Sequence, residues 1–446
     1  MNLSKLKSLF DAQTKVLFKN SSWVLGGNLT RSALVFLRGI IIARGLGVEL
    51  YGTFTIIAAF AGSIQQFLNF TLSSTIIKFG ASYLSNKKND KLTALIKSGY
   101  YFSSIVAVLS TSIIAFLTIF VYDVFLDKPG LQWFILMYAI ISSTMFIDNI
   151  STTLLQLYYK FKQAAIINIV VTIIDLLIIA IIVLFNPNNF TYFFIALVSS
   201  RLLGSVILNI ATFTIVKNSL LPYLKTSVRV LKDDYKVLVN YTVANSGSRA
   251  IKSLINNGDV LLLGAMLGPV PVAFYNIAKK LAYMILIFID PLTNTIFPQL
   301  SLLIADQKYD EVKKMIYRIT KLLVIPSIVF VAIVYFFRDY IIILTYGKEY
   351  LEAAKPFLFL TINAVVGAIL FWNLPLLLSL GMAKFRFYVN VVSLVLGGLV
   401  AYLLIPTYST NGAAIGLLVA NSFVIGVFCY VSITKINSAT HKKVND

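Results

Sequence analysis

The chain has few of the residues that build disulfides, metal sites and common catalytic centres. Its only cysteine is Cys429, which excludes an intramolecular disulfide and does not indicate a redox compartment. Its only histidine, His441, lies in the polar C-terminal segment, which excludes a histidine-rich metal site. No Walker motif, dinucleotide fingerprint or nucleophile elbow occurs in the sequence. We therefore expect a protein that is not an enzyme and that holds no metal or cofactor.

Charged residues are also scarce, and long apolar runs take their place. Only 13% of the residues are charged and 58% are hydrophobic, whereas a soluble domain is usually about 25% charged. Apolar runs of about 20 residues are typical of membrane-spanning helices. The candidate spans are 22–46, 52–78, 92–121, 131–158, 163–185, 190–216, 237–267, 272–304, 311–337, 354–380, 384–405 and 411–435. We therefore predict an all-α polytopic membrane protein with about 12 transmembrane helices.

Acidic residues are the scarcest charged group, and the basic residues are unevenly placed. The chain has 38 Lys and Arg against 18 Asp and Glu, a formal net charge of +20. In a soluble protein this excess would suggest nucleic acid, but here we expect no such partner, because the basic residues follow the pattern of membrane topology. With a cytoplasmic N-terminus, the inner connections hold 26 of the 38 basic residues and the outer connections hold 5. This asymmetry predicts that both termini are cytoplasmic.

A weak internal repeat suggests two lobes of six helices. A shift of 221 residues places Gly47 on Gly268, Arg31 on Lys252 and Arg38 on Asp259. Because six spans are an even number, both copies enter the membrane in the same direction, which predicts a parallel pseudo-two-fold axis. The predicted segments are an amphipathic N-terminal segment (1–21), an N-lobe (22–216), a basic cytoplasmic linker (217–236), a C-lobe (237–435) and a cytoplasmic tail (436–446).

Polar residues follow single faces of the predicted helices 1, 2, 7 and 8. In helix 7 they recur at steps of 4, 3, 4 and 3, which places them on one helical face. A charge at the middle of a bilayer costs roughly 2.5–3.5 kcal/mol, so an aligned row predicts a wet, functional interior. We expect these faces to line a cavity between the lobes. The cationic candidates are Arg31, Arg38, Arg249, Lys252, Lys279 and Lys280, and the polar candidates are Asn28, Asn69, Asn245, Asn256, Tyr283 and Asn294.

The predicted cavity has more cations than acidic partners. Seven Lys and Arg lie within the predicted spans, against the four carboxylates of Asp148, Asp175, Asp259 and Asp290. A net positive interior attracts an anion, and guanidinium groups bind phosphate in a bidentate manner. Asp259 and Asp290 are candidate sites for a coupling proton or sodium ion. The alternative is structural pairing, of Arg38 with Asp259 or of the two aspartates with Lys279 or Lys280.

One segment carries a family resemblance. The sequence RSALVFLRGIIIARGLGVELYGTFTII, from Arg31 to Ile57, contains the helix 1 arginines and a Leu-Gly-x-x-x-Tyr-Gly turn, which LGPVPVAFY echoes from Leu267 to Tyr275. These residues, together with the two-lobe layout, resemble Wzx-type polysaccharide flippases of the multidrug/oligosaccharidyl-lipid/polysaccharide exporter (MOP) superfamily. The resemblance extends over nearly the whole chain.

The resemblance implies a MATE-like fold and alternating access in the cytoplasmic (inner) membrane. The implied substrate is a polyprenyl-diphosphate-linked oligosaccharide, such as an O-antigen, capsule or exopolysaccharide repeat unit, moved from the inner to the outer leaflet. The implied partners are membrane lipids and, in the same pathway, a polysaccharide polymerase and glycosyltransferases. Lipid II flippases are one alternative, although they have two additional C-terminal helices. An ion-coupled multidrug antiporter of the same superfamily is another, and it would favour an acidic cavity.

Overall fold

The computed structural model consists of helices and short connections. It describes the backbone of residues 3–70, 72–125, 130–220, 222 and 225–445, and the side chains of 22–70, 72–119, 130–219, 222, 225–243, 257–290, 292–293, 295–382 and 384–440. The α-helices are α1 (Leu3–Phe67), α2 (Leu72–Ser85), α3 (Asn89–Phe125), α4 (Leu131–Leu157), α5 (Phe161–Phe185), α6 (Phe190–Leu220), α7 (Tyr235–Leu267), α8 (Pro269–Ala282), α9 (Leu286–Ala305), α10 (Tyr309–Thr345), α11 (Ala354–Ile369), α12 (Asn373–Ser379), α13 (Ala383–Tyr408) and α14 (Thr410–Asn445). Among the described residues, 3-10 helices span Val228–Leu231, Tyr283–Ile285 and Lys348–Ala353. No strand occurs within these backbone ranges, so the predicted all-α class is confirmed.

Nine helices in the described part of the chain are long and apolar enough to cross a membrane. They correspond to nine of the twelve predicted spans. The other three predicted spans, 22–46, 52–78 and 237–267, fall on α1, α2 and α7. Helix α2 has only 14 residues, fewer than a membrane crossing needs, and the described part of α1 carries Arg31, Arg38 and Arg44. The side chains of residues 244–256 of α7 lie outside the described part, so the count of nine says nothing about that helix.

Two glycines interrupt the helices at equivalent points of the predicted repeat. Gly47 has φ 72° and ψ 173° and divides α1 at a kink. Gly268 has φ 79° and ψ −166° and immediately precedes α8. This backbone region is essentially restricted to glycine, because any Cβ would clash there. The two Leu-Gly turns therefore have the same local geometry.

Replacing either glycine is expected to destabilise the chain. We expect Gly47→Ala and Gly268→Ala each to cost about 1–3 kcal/mol, the usual cost of a strained backbone conformation. Gly26→Ala is the control, because Gly26 is helical and a Cβ there meets no atom within 4 Å. Thermal unfolding of the detergent-solubilised protein measures all three. Equal midpoints for the three variants would contradict the assignment.

The chain forms two compact units. Unit 1 comprises Met1–Leu46, Ala61–Asp123 and Asp127–Ala250, and unit 2 comprises Gly47–Phe60, Val124–Leu126 and Ile251–Asp446. The segment after the kink packs within unit 2, where a Cβ at Gly52 would lie 1.9 Å from the carbonyl oxygen of Pro269. The lobe boundaries from the sequence stay a prediction.

The basic linker is attached to the start of α3 within unit 1. The 3-10 helix Val228–Leu231 begins after Ser227, whose hydroxyl accepts a hydrogen bond from the backbone N–H of Arg229 at 3.3 Å. Just beyond this helix, Asp234 accepts hydrogen bonds from Lys91 Nζ and from the Tyr83 hydroxyl, each at 2.7 Å. The hydrogen bond from Lys91 is the largest of the effects that lower the pKa of Asp234 below its usual value. Asp234 therefore fixes the position of the linker.

The Asp234 cluster predicts a dependence of stability on pH. A carboxylate whose pKa is lower in the folded state stabilises the fold above its unfolded pKa, about 3.9 for aspartate, and this contribution is lost as the pH falls through the folded value. We therefore expect Asp234→Asn to lower the thermal midpoint at neutral pH, and the difference from wild type to shrink in acid. The neighbouring Asp233→Asn is the control. If the difference in thermal midpoint between wild type and Asp234→Asn did not change with pH, the charge of Asp234 would not be what stabilises the fold.

Candidate functional site: a charged cavity within unit 1

A cavity of about 480 Å³ lies within unit 1, bordered by α1, α4, α5 and α6. Its charged lining residues are Arg31, Arg38, Asp148, Asp175 and Arg201. Two asparagines, two threonines and one serine add uncharged polar groups. Arg31 and Arg38 lie on the same side of α1 because seven residues make about two helical turns, which separates their Cα atoms by roughly 10.5 Å. The cavity therefore presents positive charge at two depths along one helix.

Arg38 is held by a carboxylate from α5. Its Nη1 forms an ion pair with Asp175 Oδ2, and Asp175 Oδ1 accepts a hydrogen bond from the Ser200 hydroxyl at 2.7 Å. Asp175 is only 8% exposed. Arg38 Nε is buried and has no hydrogen-bond partner among the described residues. Leaving a buried donor unsatisfied costs about 1–3 kcal/mol, so this atom is a favourable position for an added acceptor such as a phosphate oxygen.

Asp148 is surrounded by donors from α6. Its Oδ2 lies 3.3 Å from Arg201 Nη2. Its Oδ1 accepts hydrogen bonds from the Ser205 hydroxyl at 2.6 Å and from Asn209 Nδ2 at 3.1 Å. Asn209 in turn accepts a hydrogen bond from the Ser151 hydroxyl at 2.6 Å. The carboxylate and its donors form a connected polar network on one wall of the cavity.

Arg31 differs from the other two arginines. Within the described part of the chain it forms no ion pair and no hydrogen bond, and its side chain is exposed. The cavity therefore has three guanidinium groups against two carboxylates, a formal excess of one positive charge. In a site of reduced dielectric, unpaired positive charge favours binding of an anion.

Asp259, the acidic candidate on α7, is paired with a lysine, whereas the two aspartates of the cavity are paired with arginines. In unit 2, Asp259 Oδ2 accepts hydrogen bonds from Lys279 Nζ and from the Tyr275 hydroxyl, both at 2.6 Å. The Lys279 and Asp259 side chains are only 13% and 7% exposed. The structure thus contains the Lys279 pairing that the sequence left open. Arg38, the other predicted partner, is paired with Asp175 in unit 1.

The remaining candidates, on α8, α9 and the 3-10 helix between them, have separate environments in unit 2. Lys280 Nζ donates to the Tyr51 hydroxyl at 3.0 Å and lies 5.4 Å from the centroid of that ring. Tyr283 accepts a hydrogen bond from Asn363 Nδ2 at 2.9 Å. Asp290 is exposed on α9. Tyr51 belongs to the Leu-Gly-x-x-x-Tyr-Gly turn, so the motif tyrosine contacts one of the predicted cations.

Several predicted residues stand apart from these clusters or cannot be described. Asn28 is exposed on α1, and Asn69 lines a small cavity of about 20 Å³ in unit 1. The side chains outside the described residues are those of Asn245, Arg249, Lys252, Asn256 and Asn294. The α7 stripe from Asn245 to Asn256 therefore stays a prediction.

Three of the five charged residues of the cavity are not among the site residues predicted from the sequence. They are Asp148, Asp175 and Arg201, each of which is the only charged residue of its predicted span. One signal was nevertheless present on α6: Arg201, Ser205 and Asn209 recur every four residues and therefore share a helical face. That spacing is the same kind of evidence that selected α1 and α7.

Comparisons with known proteins agree with the helical architecture. The family described as polysaccharide biosynthesis protein matches residues 17–304, and the family described as MatE matches residues 246–403. A search of curated proteins finds no match to the chain.

Three solved structures illustrate the similarity of the fold. A multidrug resistance MATE family transporter of the MOP superfamily, in its inward-facing conformation, has a TM-score of 0.74 and 12% identity over 92% of this chain and 96% of its own. A Vibrio cholerae MATE transporter has a TM-score of 0.61 and 13% identity over 96% and 98%. A MOP superfamily transporter from Pyrococcus furiosus, described as having a binding pocket of reverse polarity, has a TM-score of 0.59 and 15% identity over 96% of both chains.

These identities establish the fold alone, and the predicted MATE-like membrane fold is confirmed. The first family match covers more than half of the 446 residues. The chain therefore belongs to the polysaccharide biosynthesis protein family.

Proposed function

We propose that the chain is a flippase that moves a polyprenyl-diphosphate-linked oligosaccharide from the inner to the outer leaflet of the cytoplasmic membrane by alternating access. The observation that carries this proposal is the excess of guanidinium groups in the cavity of unit 1, where Arg31, Arg38 and Arg201 face two carboxylates. A diphosphate headgroup is an anion that cannot cross hydrocarbon unaided. Charge-assisted, bidentate contacts from arginine lower that barrier.

The carboxylates have a clear role in this proposal. Without substrate, an unpaired guanidinium inside a membrane protein is costly, so Asp175 and Asp148 hold Arg38 and Arg201 in place. A phosphate oxygen binds in the same geometry as a carboxylate oxygen and can replace it. Arg31, which has no carboxylate partner among the described residues, is then the first contact for the headgroup.

The contributions of the other predicted cations are unequal. Arg249 and Lys252 remain proposed headgroup contacts on the α7 stripe. Lys279 contributes less to substrate binding, because Asp259 already balances its charge at 2.6 Å. Lys280, which donates a hydrogen bond to the Tyr51 hydroxyl, remains a proposed headgroup contact.

Ion coupling is a further part of the proposal. Asp259 and Asp290 are the sequence candidates for a proton or sodium site. Asp175 is added to them, because protonating a carboxylate that is paired with an arginine frees that arginine for phosphate. Coupling then follows from competition between the carboxylate and the substrate for Arg38.

Reconstitution tests the proposed function. Purified protein in vesicles is supplied with a fluorescent undecaprenyl-diphosphate oligosaccharide, and the fraction in the opposite leaflet is measured over time. We expect transfer above the rate of protein-free vesicles and a clear reduction in Arg31→Gln. Transfer at the protein-free rate would overturn the proposal.

An ion-coupled multidrug antiporter is the second candidate. It is favoured by the buried carboxylates of Asp148 and Asp175 in the same cavity, which can bind a cation, and by the MatE match over residues 246–403. The same vesicles distinguish the two functions. Uptake of a cationic dye in exchange for protons, with no movement of the lipid, would select the antiporter.

A further inference from the structure

Unit 1 contains a second, larger cavity that the charged site does not use. Its volume is about 970 Å³, and it is lined by α2, α3, the 3-10 helix Val228–Leu231 and the first part of α7. Its walls are mainly apolar, with side chains that include Ile76, Leu95, Leu238 and Val239. It shares no lining residue with the charged cavity. A large apolar cavity with few polar groups is typical of a binding site for an apolar ligand.

The charged groups among the described lining residues of this cavity both lie on the linker. Arg229 and Lys232 both line it and are both exposed. The 3-10 helix ends at Leu231, and Lys232 follows it with right-handed helical φ and ψ of −53° and −42°. Because residues three apart lie above one another in such a turn, the side chains of Arg229 and Lys232 lie on the same side of the linker. Neither forms an ion pair among the described residues. Two adjacent cations therefore border an apolar cavity.

Four hydrogen bonds hold the linker in this position. Asp234 binds Lys91 and Tyr83, as described above. The Thr226 carbonyl oxygen accepts a hydrogen bond from Lys97 Nζ at 3.1 Å. The Thr226 hydroxyl donates to Asp90 Oδ1 at 3.3 Å. Because contacts exist on both sides of the 3-10 helix, the backbone that carries Arg229 and Lys232 has a fixed position beside the cavity.

We infer that this cavity binds the polyprenyl chain of the lipid-linked substrate, with Arg229 and Lys232 contacting its diphosphate. The inference rests on the proposed flippase function and names a second substrate site. The charge pattern selects the occupant, since two adjacent cations match two linked phosphates. A free phosphate would leave the apolar wall unused, and a neutral lipid would leave the cations unused. The linker is predicted to be cytoplasmic, the side on which such a substrate is made available.

A binding experiment with cavity-filling variants tests the inference. The probe is undecaprenyl diphosphate without sugar, and its dissociation constant for the full-length protein is measured in phosphatidylglycerol-containing nanodiscs. Val239→Trp places an indole in the cavity from α7, and Val243→Trp does so one helical turn further along. Val237→Trp is the control, because Val237 is exposed on the same helix and does not line the cavity.

A second pair of variants tests the charges. Arg229→Glu combined with Lys232→Glu reverses the two cations of the cavity. Lys225→Glu combined with Lys236→Glu makes the same change in net charge on exposed residues that do not line it. We expect both tryptophan variants and the first charge variant to weaken binding at least about tenfold, and both controls to stay within about twofold of wild type.

Each other result has a defined meaning. Unchanged binding in both tryptophan variants overturns the inference. It is also overturned if phosphatidylglycerol occupies the cavity and undecaprenyl diphosphate fails to displace it. Oligosaccharide transfer at the wild-type rate in variants that have lost binding overturns it too, while the flippase proposal stands. Binding that responds to the variants as expected, in vesicles that transfer no lipid, supports the site and contradicts only the flippase proposal.

Discussion

Replacing Arg38 with alanine is expected to abolish export of surface glycan in cells that depend on this chain. Arg38 is the cavity arginine with both a carboxylate partner and an unsatisfied buried donor. Losing a buried, charge-assisted contact costs about 2 kcal/mol or more, and 1.4 kcal/mol is tenfold, so we expect export to fall at least about thirtyfold. Surface staining for glycan measures export, and immunoblotting of membranes measures the amount of inserted protein.

The single variant also leaves Asp175 without its cation, and breaking a buried pair can destabilise a protein by about 3–5 kcal/mol. The double variant Arg38→Gln with Asp175→Asn removes both charges and keeps similar volumes. We expect it to regain thermal stability close to wild type and to remain inactive in export. Export at the wild-type rate by this stable double variant would show that Arg38 has no role in substrate binding.

Neutralising Asp175 is expected to uncouple transport from the ion gradient. In Asp175→Asn the amide no longer competes as an anion for Arg38, so the arginine stays available to phosphate in both conformations. We expect substrate binding to be retained, and the transport rate with an imposed proton or sodium gradient to equal the rate without it. Vesicles with defined internal and external pH and sodium concentration measure this ratio.

Asp290→Asn and Asp259→Asn are the comparison variants, because both aspartates are sequence candidates for the coupling ion. Asp290 is exposed on α9, whereas Asp259 is bound by Lys279 and Tyr275. If only Asp290→Asn loses the response to the gradient, Asp290 is the coupling site and Asp175 is structural. If none of the three variants changes the response, coupling does not involve these carboxylates.

Hydropathy and helical periodicity were sufficient to predict the fold class. A bilayer requires apolar runs of a known length, and this constraint acts on each helix separately. The same local reasoning placed Arg31 and Arg38 on one face of α1, where both line the charged cavity. Gly47 and Gly268 were aligned by the repeat and have the same unusual backbone conformation.

The choice of ion-pair partners could not be predicted in this way. Arg38 and Asp175 are 137 residues apart and lie on helices that meet only through tertiary packing. The helical periodicity of α5 indicates the face that carries Asp175, but it does not indicate which cation on another helix that face meets. The pairing of Asp259 with Lys279 was among the predicted alternatives, because the two residues are only 20 positions apart on the consecutive helices α7 and α8. The ion pair between distant helices was therefore identified only in the structure, whereas the ion pair between consecutive helices was among the pairings that the sequence left open.

The most direct test of the account is the charge selectivity of substrate binding. The same oligosaccharide is attached to undecaprenyl diphosphate and to uncharged undecaprenol, and the affinity of the purified protein for each is measured. We predict that the protein binds the diphosphate lipid at least about tenfold more tightly than the uncharged lipid, equivalent to about 1.4 kcal/mol. Arg31→Gln is expected to reduce this preference. Arg44→Gln, which lies on the same helix but outside the cavity, is expected to leave it unchanged. Equal affinity for the two lipids, or an Arg31→Gln variant that binds as wild type does, would contradict a cationic headgroup site.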